Sequence, residues 1–118
     1  MLRLRHDTPE AWTEVVLADL DTFLQDHAAN ERKVSGSAMG MIAHHPDKAE
    51  LVDALVEVAR EEMEHFIAVY EVLKTRGVPH AQDKPDPYIG ALRRAIRQQE
   101  IDLYLRDRLI MFAIIEAR

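Results

Sequence analysis

Within VAREEMEHFIAV, residues 58–69, Glu62 and His65 stand three positions apart. On a helix that spacing sets a carboxylate and an imidazole on adjacent turns of one face, where both can reach one cation. The face is otherwise apolar. Leu51, Leu55, Val58, Glu62, His65, Val69 and Leu73 follow alternating steps of three and four, so the pattern predicts that Glu62 and His65 are buried. Two further stripes carry one carboxylate each: Leu20, Leu24, Ala28, Glu31, Ala38 and Ile42 form one, and Leu105, Leu109, Phe112 and Glu116 the other. A carboxylate taken out of water must be paired, protonated or bound to a cation. Several in one interior repel unless a metal neutralises them. Oxygen and imidazole donors without thiolate suit iron or manganese better than structural zinc.

The same residues admit plainer roles. A single Glu-x-x-His arises often as a solvated surface pair, and Arg32, Arg60 and Arg118 are candidate partners for Glu31 and Glu116. Spacing alone leaves a metal centre and an ion-paired interior both open. Glu61 and Glu64 are expected to face water or arginines. His27, one turn before Glu31, either supports that carboxylate from behind or is partly exposed. Asp107 either orients His65 or pairs with Arg106 or Arg108. His44 and His45, just before Pro46, should meet terminal carbonyls or solvent. Trp12, Met39, Met41 and Met111 are expected in the core. Neither a Gly-rich phosphate loop nor a convincing serine triad is present.

The elements that must hold these groups are helices. The chain has 118 residues, 47% hydrophobic and 31% charged, with four Gly and five Pro, which fits one all-α domain. No apolar run is long enough to span a membrane, and MLRLRHDTPE lacks the apolar core of a secretory signal. With no cysteine there is no disulfide, thiolate site or cysteine nucleophile. A cytoplasmic protein is the expectation. The formal charge of -6 argues weakly against a nucleic-acid partner; Arg93, Arg94 and Arg97 lie close together, as do Arg3 and Arg5 and Arg32 and Lys33, and such groups read by default as solvated helix faces.

Punctuation divides the chain into three long helical pieces. Thr8 should cap a helix with Pro9 at its first position, bending near residues 17–21 and stopping at Pro46. Asp47 and Glu50 read as a capping box opening a helix of about 30 residues. Lys74, Arg76, Gly77 and Pro79 close it. Asp86 and Pro87 open the third piece, which should break near residues 98–100. RLIMFAIIEAR is strongly apolar and carries no stop signal, and three such stripes would leave a groove unfilled. Glu from two helices plus Glu-x-x-His from two others is the ligand set of ferritin-like di-iron bundles.

DHAANERKVSGSAM, LVEVAREEMEHF and RDRLIMFAIIEAR, in that order, resemble the MiaE family, ferritin-like hydroxylases that act on a hypermodified tRNA adenosine beside the anticodon. The resemblance implies a ferritin-like helical bundle with two iron ions. With O2 and an external electron donor, these would hydroxylate the isopentenyl group. It implies Glu31 as a terminal ligand of the first iron, Glu62 as a bridging carboxylate, His65 as the imidazole on that iron, and Glu116 as the terminal carboxylate of the second. Family members continue past IIEAR into a fourth core helix with a second Glu-x-x-His. Residues 1–118 are therefore expected to be a single ferritin-like domain, C-terminally incomplete, or completed by another copy in a homo-oligomer. The implied partners are tRNA, with Arg93, Arg94 and Arg97 as candidate phosphate contacts, and a redox protein, with no membrane. The rival readings are a ferritin- or rubrerythrin-like oxidase or peroxidase that does not act on tRNA, and a metal-free helical interaction module.

Overall fold

In a computed structural model describing residues 6–117, the chain is all-helical, as expected. Five helices follow one another: α1 (Ala11–Ala18), α2 (Leu20–His44), α3 (Ala49–Thr75), α4 (Pro87–Ala95) and α5 (Ile101–Glu116). No strand occurs among the described residues. Arg3, Arg5 and Arg118 lie outside them. The chain forms two compact units, one of residues 11–83 and another containing residues 84–117.

In the first unit α2 and α3 form an antiparallel hairpin. Its cross-links show the direction: Asp21, near the start of α2, meets Arg76, just past the end of α3, and Ser35 meets Ala59. As one partner's number rises, the other's falls. Small side chains line the seam. Ala28 and Ala38 are wholly enclosed, as is Met41, and Ala29 and Ala59 nearly so. That lets the backbones approach closely enough for the buried Ser35 hydroxyl to donate 2.8 Å to the Ala59 carbonyl. Leu55 and Leu73 complete the core of the pair.

Helix boundaries follow local chemistry, with two departures from expectation. The first helix begins at Ala11, leaving Thr8 and Pro9 outside it. The bend falls at Asp19, whose side chain accepts from the Thr22 N–H and so opens α2 as a cap. At the next junction Lys48, not Asp47, holds the cap position, and no side chain caps α3. The reason is the tight turn: the Lys48 N–H donates to the His45 carbonyl at 3.2 Å, so the helix begins only after it. His44 returns its Nδ1 to the Gly40 carbonyl at 2.7 Å, in keeping with its place at the helix end.

α3 spans 27 residues, about 40 Å at 1.5 Å each. It ends where glycine predicts. Gly77 takes φ 70°, its N–H donates to the Lys74 carbonyl, and the Val78 N–H donates to that of Leu73. These two bonds close a Schellman motif, which needs the left-handed residue that glycine supplies without strain. The loop beyond is fastened to α2. The Pro79 carbonyl accepts from Gln25 at 2.7 Å, and Asp83 accepts from Arg32 with Lys33 nearby. His80 sets its ring edge-on to Phe66, centroids 5.6 Å apart.

In the second unit Asp86 caps α4 through the Tyr88 and Ile89 N–H groups, with Pro87 following, as expected. The break at residues 96–100 precedes α5. Leu92, Ala95, Ile96, Ile110, Met111 and Ile114 line an apolar groove of about 260 Å³ between α4 and α5. Two expected core residues are surface residues instead: Trp12 is 50% exposed and Met39 55%, whereas Met41 and Met111 are buried. Met39 lies on the side of α2 away from the α3 seam, and α1 is too short to bury Trp12.

Candidate metal centre

The carboxylates of Glu31 and Glu62 meet across the α2–α3 seam because the antiparallel register sets those positions opposite one another, as it does Ser35 and Ala59. His65, one turn along α3 from Glu62, joins them. Each of the three offers a ligand atom, and these atoms lie within 4.8 Å of one another. His65 Nδ1 is 3.7 Å from Glu62 Oε2 and 3.9 Å from Glu31 Oε2. Glu31 also has His27 beside it, with Nδ1 3.4 Å from Oε1.

Burial is uneven. The Glu62 side chain is 8% exposed and that of Glu31 16%, but that of His65 is 61% exposed. The apolar stripe on α3 predicts His65 inside. Only the part of that stripe facing α2 is covered, and His65 stands at its open edge. The cluster therefore has a closed carboxylate floor and an accessible imidazole rim.

The electrostatics follow from that shape. Burial pushes the Glu62 carboxyl up to about 7, and a hydrogen bond to Glu31 and the Glu31 charge push the same way, with His65 opposing. Two carboxylates and an imidazole thus share one half-enclosed space, and burial beside the Glu31 charge favours the protonated form of Glu62 up to about pH 7. A divalent cation would replace that proton. The donor set, two carboxylate oxygens and one imidazole, suits iron or manganese, so the residues present fit a metal of this class.

Glu116 stands in the other compact unit, on α5, at an exposed position; along the stripe that leads to it Leu105 is buried, Leu109 exposed and Phe112 half-buried. The cluster is formed by Glu31, Glu62 and His65. Asp107 is bound by Arg97: its carboxylate accepts the Arg97 backbone N–H at 3.0 Å, Nε at 2.8 Å, and a terminal guanidinium nitrogen. The Arg97 guanidinium and backbone hold this carboxyl far below the usual carboxylate range. Adjacency in sequence suggests Arg106 and Arg108 for that pair, but immediate neighbours on a helix point to different faces. Arg97 lies ten residues earlier, across the α4–α5 break, where helical spacing gives no guide. Asp83 is likewise an anchor that only the folded loop reveals, its carboxyl held down by Arg32.

The family model described as tRNA-(MS[2]IO[6]A)-hydroxylase (MiaE) matches residues 2–118. The chain belongs to the MiaE family. Two MiaE relatives, both named tRNA 2-(methylsulfanyl)-N(6)-isopentenyladenosine(37) hydroxylase, are similar to it. One, from Pseudomonas putida, is 39% identical over 94% of this chain and 54% of its own length. The other, from Salmonella typhimurium, is 36% identical over 79% of this chain and 34% of its own. The chain thus spans about half, or less, of the curated MiaE relatives it matches. A solved structure, protein 43 with aldehyde deformylating oxygenase activity from Synechococcus, is 36% identical and superposes with a TM-score of 0.85. It covers 98% of this chain and 58% of its own, and the likeness places this MiaE member in the ferritin-like helical class.

Proposed function

We propose that the protein acts as a metal-dependent tRNA hydroxylase, with Glu31, Glu62 and His65 as metal ligands. The observation that carries this reading is the convergence of Glu31, Glu62 and His65 on one point in a chain that matches the family from residue 2 to 118. Two iron ions, with O2 and electrons from a redox partner, would supply the oxidising chemistry that an unactivated C–H bond of an isopentenyl group requires.

The chain's own residues have separate tasks. A cation at the cluster would take the place of the proton on Glu62, whose raised proton affinity would couple its binding to proton release. Glu31 adds a second carboxylate from the facing helix. His65 remains at the open edge, where its exposure leaves room for a neighbouring group to approach. The packed α2–α3 seam below Glu62 keeps water from that side.

Charge distribution favours one docking region for the RNA. Residues 11–83 contain fourteen Asp and Glu against six Lys and Arg; residues 84–117 contain five against six. In the first unit Arg32, Lys33, Arg60, Lys74 and Arg76 all stand in ion pairs. Arg93 and Arg94, exposed at the end of α4, make no ion pair among the described residues. They are the proposed phosphate contacts. Arg97, given equal standing by spacing, has its guanidinium engaged by Asp107.

The test is to incubate iron-loaded protein with tRNA carrying the 2-methylthio-isopentenyl modification, O2 and a reductant, and to analyse the nucleosides by mass spectrometry. A hydroxylated isopentenyl product is expected. Its absence at full iron loading refutes the tRNA assignment. The likeness to an aldehyde deformylating oxygenase favours one alternative substrate class, and an aldehyde in the same assay distinguishes the two.

A further inference from the structure

We infer that His27 is a positioning residue of the metal centre: it holds one oxygen of Glu31 so that the other is presented to the cation. This rests on the metal-centre reading above and adds a residue to it. The two oxygens of Glu31 face different partners. His27 Nδ1 lies 3.4 Å from Oε1, while Oε2 is the oxygen turned toward His65. His27 is not among the three residues whose ligand atoms gather within 4.8 Å, so its nitrogen supports the carboxylate from the side.

The imidazole is itself held. It stacks on Phe23 with centroids 5.7 Å apart and planes 12° from parallel. Phe23 in turn takes the edge of Trp12 at 5.8 Å and 84°. A row of three rings thus runs from α1 to Glu31, which gives the exposed Trp12 a role other than filling a core. Glutamate has rotatable bonds whose freedom is lost when it binds a cation. Fixing one oxygen beforehand removes part of that loss. The tautomer required is the one with its proton on Nδ1; at 3.4 Å the support is the attraction of that N–H for Oε1 rather than a short hydrogen bond. Groups that orient a metal ligand in this way commonly alter metal affinity by about ten- to a hundredfold.

Two substitutions separate the nitrogen from the ring. His27→Phe keeps a ring against Phe23 and removes the donor. His27→Asn keeps an N–H where Nδ1 was and removes the ring. The measurement is the Kd for Co(II), followed by visible absorbance on anaerobic protein stripped of metal, together with the melting temperature without metal. The expected result is that His27→Phe weakens Co(II) binding on the order of tenfold, with the metal-free melting temperature unchanged, while His27→Asn stays within about threefold of the parent. Equal affinity of His27→Phe and the parent overturns the assignment. So does a loss in His27→Asn as large as in His27→Phe, which would place the effect in the ring. If the parent binds no Co(II), the metal-centre reading itself fails and the role of His27 with it.

Discussion

Replacing Glu62 by glutamine isolates the consequence of burying that carboxyl. The amide would match the shape of the protonated acid and could still donate to Glu31, but it cannot ionise. In the metal-free protein Glu62 titrates near 7 rather than at 4.5. At about 1.4 kcal/mol per tenfold change in proton affinity, that difference corresponds to about 3 kcal/mol. Its sign is set by which state binds more protons. Below pH about 4.5 both folded and unfolded chains hold the proton, and Glu62 contributes nothing. Between about 4.5 and 7 the unfolded chain ionises while the folded one stays protonated, so stability falls as pH rises. Above 7 both are ionised and the full penalty applies. The variant carries no such penalty, so metal-free Glu62→Gln is expected to match the parent near pH 4.5 and to exceed it by up to about 3 kcal/mol at pH 8. For 118 residues this is a gap of about 10 °C in melting temperature. Carboxylates distant from Glu62 have the same surroundings in both proteins and cancel in the comparison. Melting curves of chelator-treated protein across this pH range supply the numbers. Adding Fe(II) or Mn(II) should reverse the order at pH 8, because only the parent then supplies the second carboxylate. Parallel pH profiles for the two proteins without metal would refute the claim that burial holds Glu62 protonated.

Four further outcomes are expected. Arg93→Glu with Arg94→Glu should weaken tRNA binding and flatten its salt dependence, by about 0.9 in the log–log slope for each phosphate that is no longer neutralised, in filter-binding titrations over a range of salt. Leu73→Ala, at a fully enclosed site, should cost about 2–5 kcal/mol in urea unfolding, and Ser35→Ala about 1 kcal/mol through loss of its bond to Ala59. Asp107→Asn should speed hydrogen exchange of the Arg97 amide, since that N–H donates to the carboxylate, whereas the parent keeps this clamp until the pH is strongly acidic.

Periodicity revealed the helices and half of the site because both are matters of local repeat. The steps of three and four through Leu51, Leu55, Val58 and Glu62 register which face of α3 meets α2, and Gly77 marks where that helix can stop. The same repeat could not say how wide the covered strip would be. It therefore placed His65 inside with Glu62, although three positions along a helix amount to a rotation of about 60°, enough to move from the floor of a seam to its edge. The partners that tie distant residues were also illegible. Arg97 finds Asp107 across a break in helix, and Arg32 finds Asp83 at the far end of a loop. Such pairs depend on turns whose geometry no helical spacing encodes.

The exposed edge of the centre has a consequence for its chemistry. A site enclosed on every side would hold a cation against exchange but admit a bulky substrate only by opening. Here the acid that responds to a cation, Glu62, is at the floor, and the imidazole is at the rim. The charge of a bound cation would thus be balanced in the part of the cluster that excludes water, while access is left to the part that does not. Glu31 lies between them, with one oxygen beside His27 and the other beside His65. It is the residue through which support from the ring row of α1 and α2 reaches the carboxylates on the floor. Substitutions in that row should therefore act on metal affinity, and substitutions at Glu62 on the pH at which metal binds. A single assay of Co(II) affinity against pH separates the two, because the first moves the whole curve and the second changes its shape near 7.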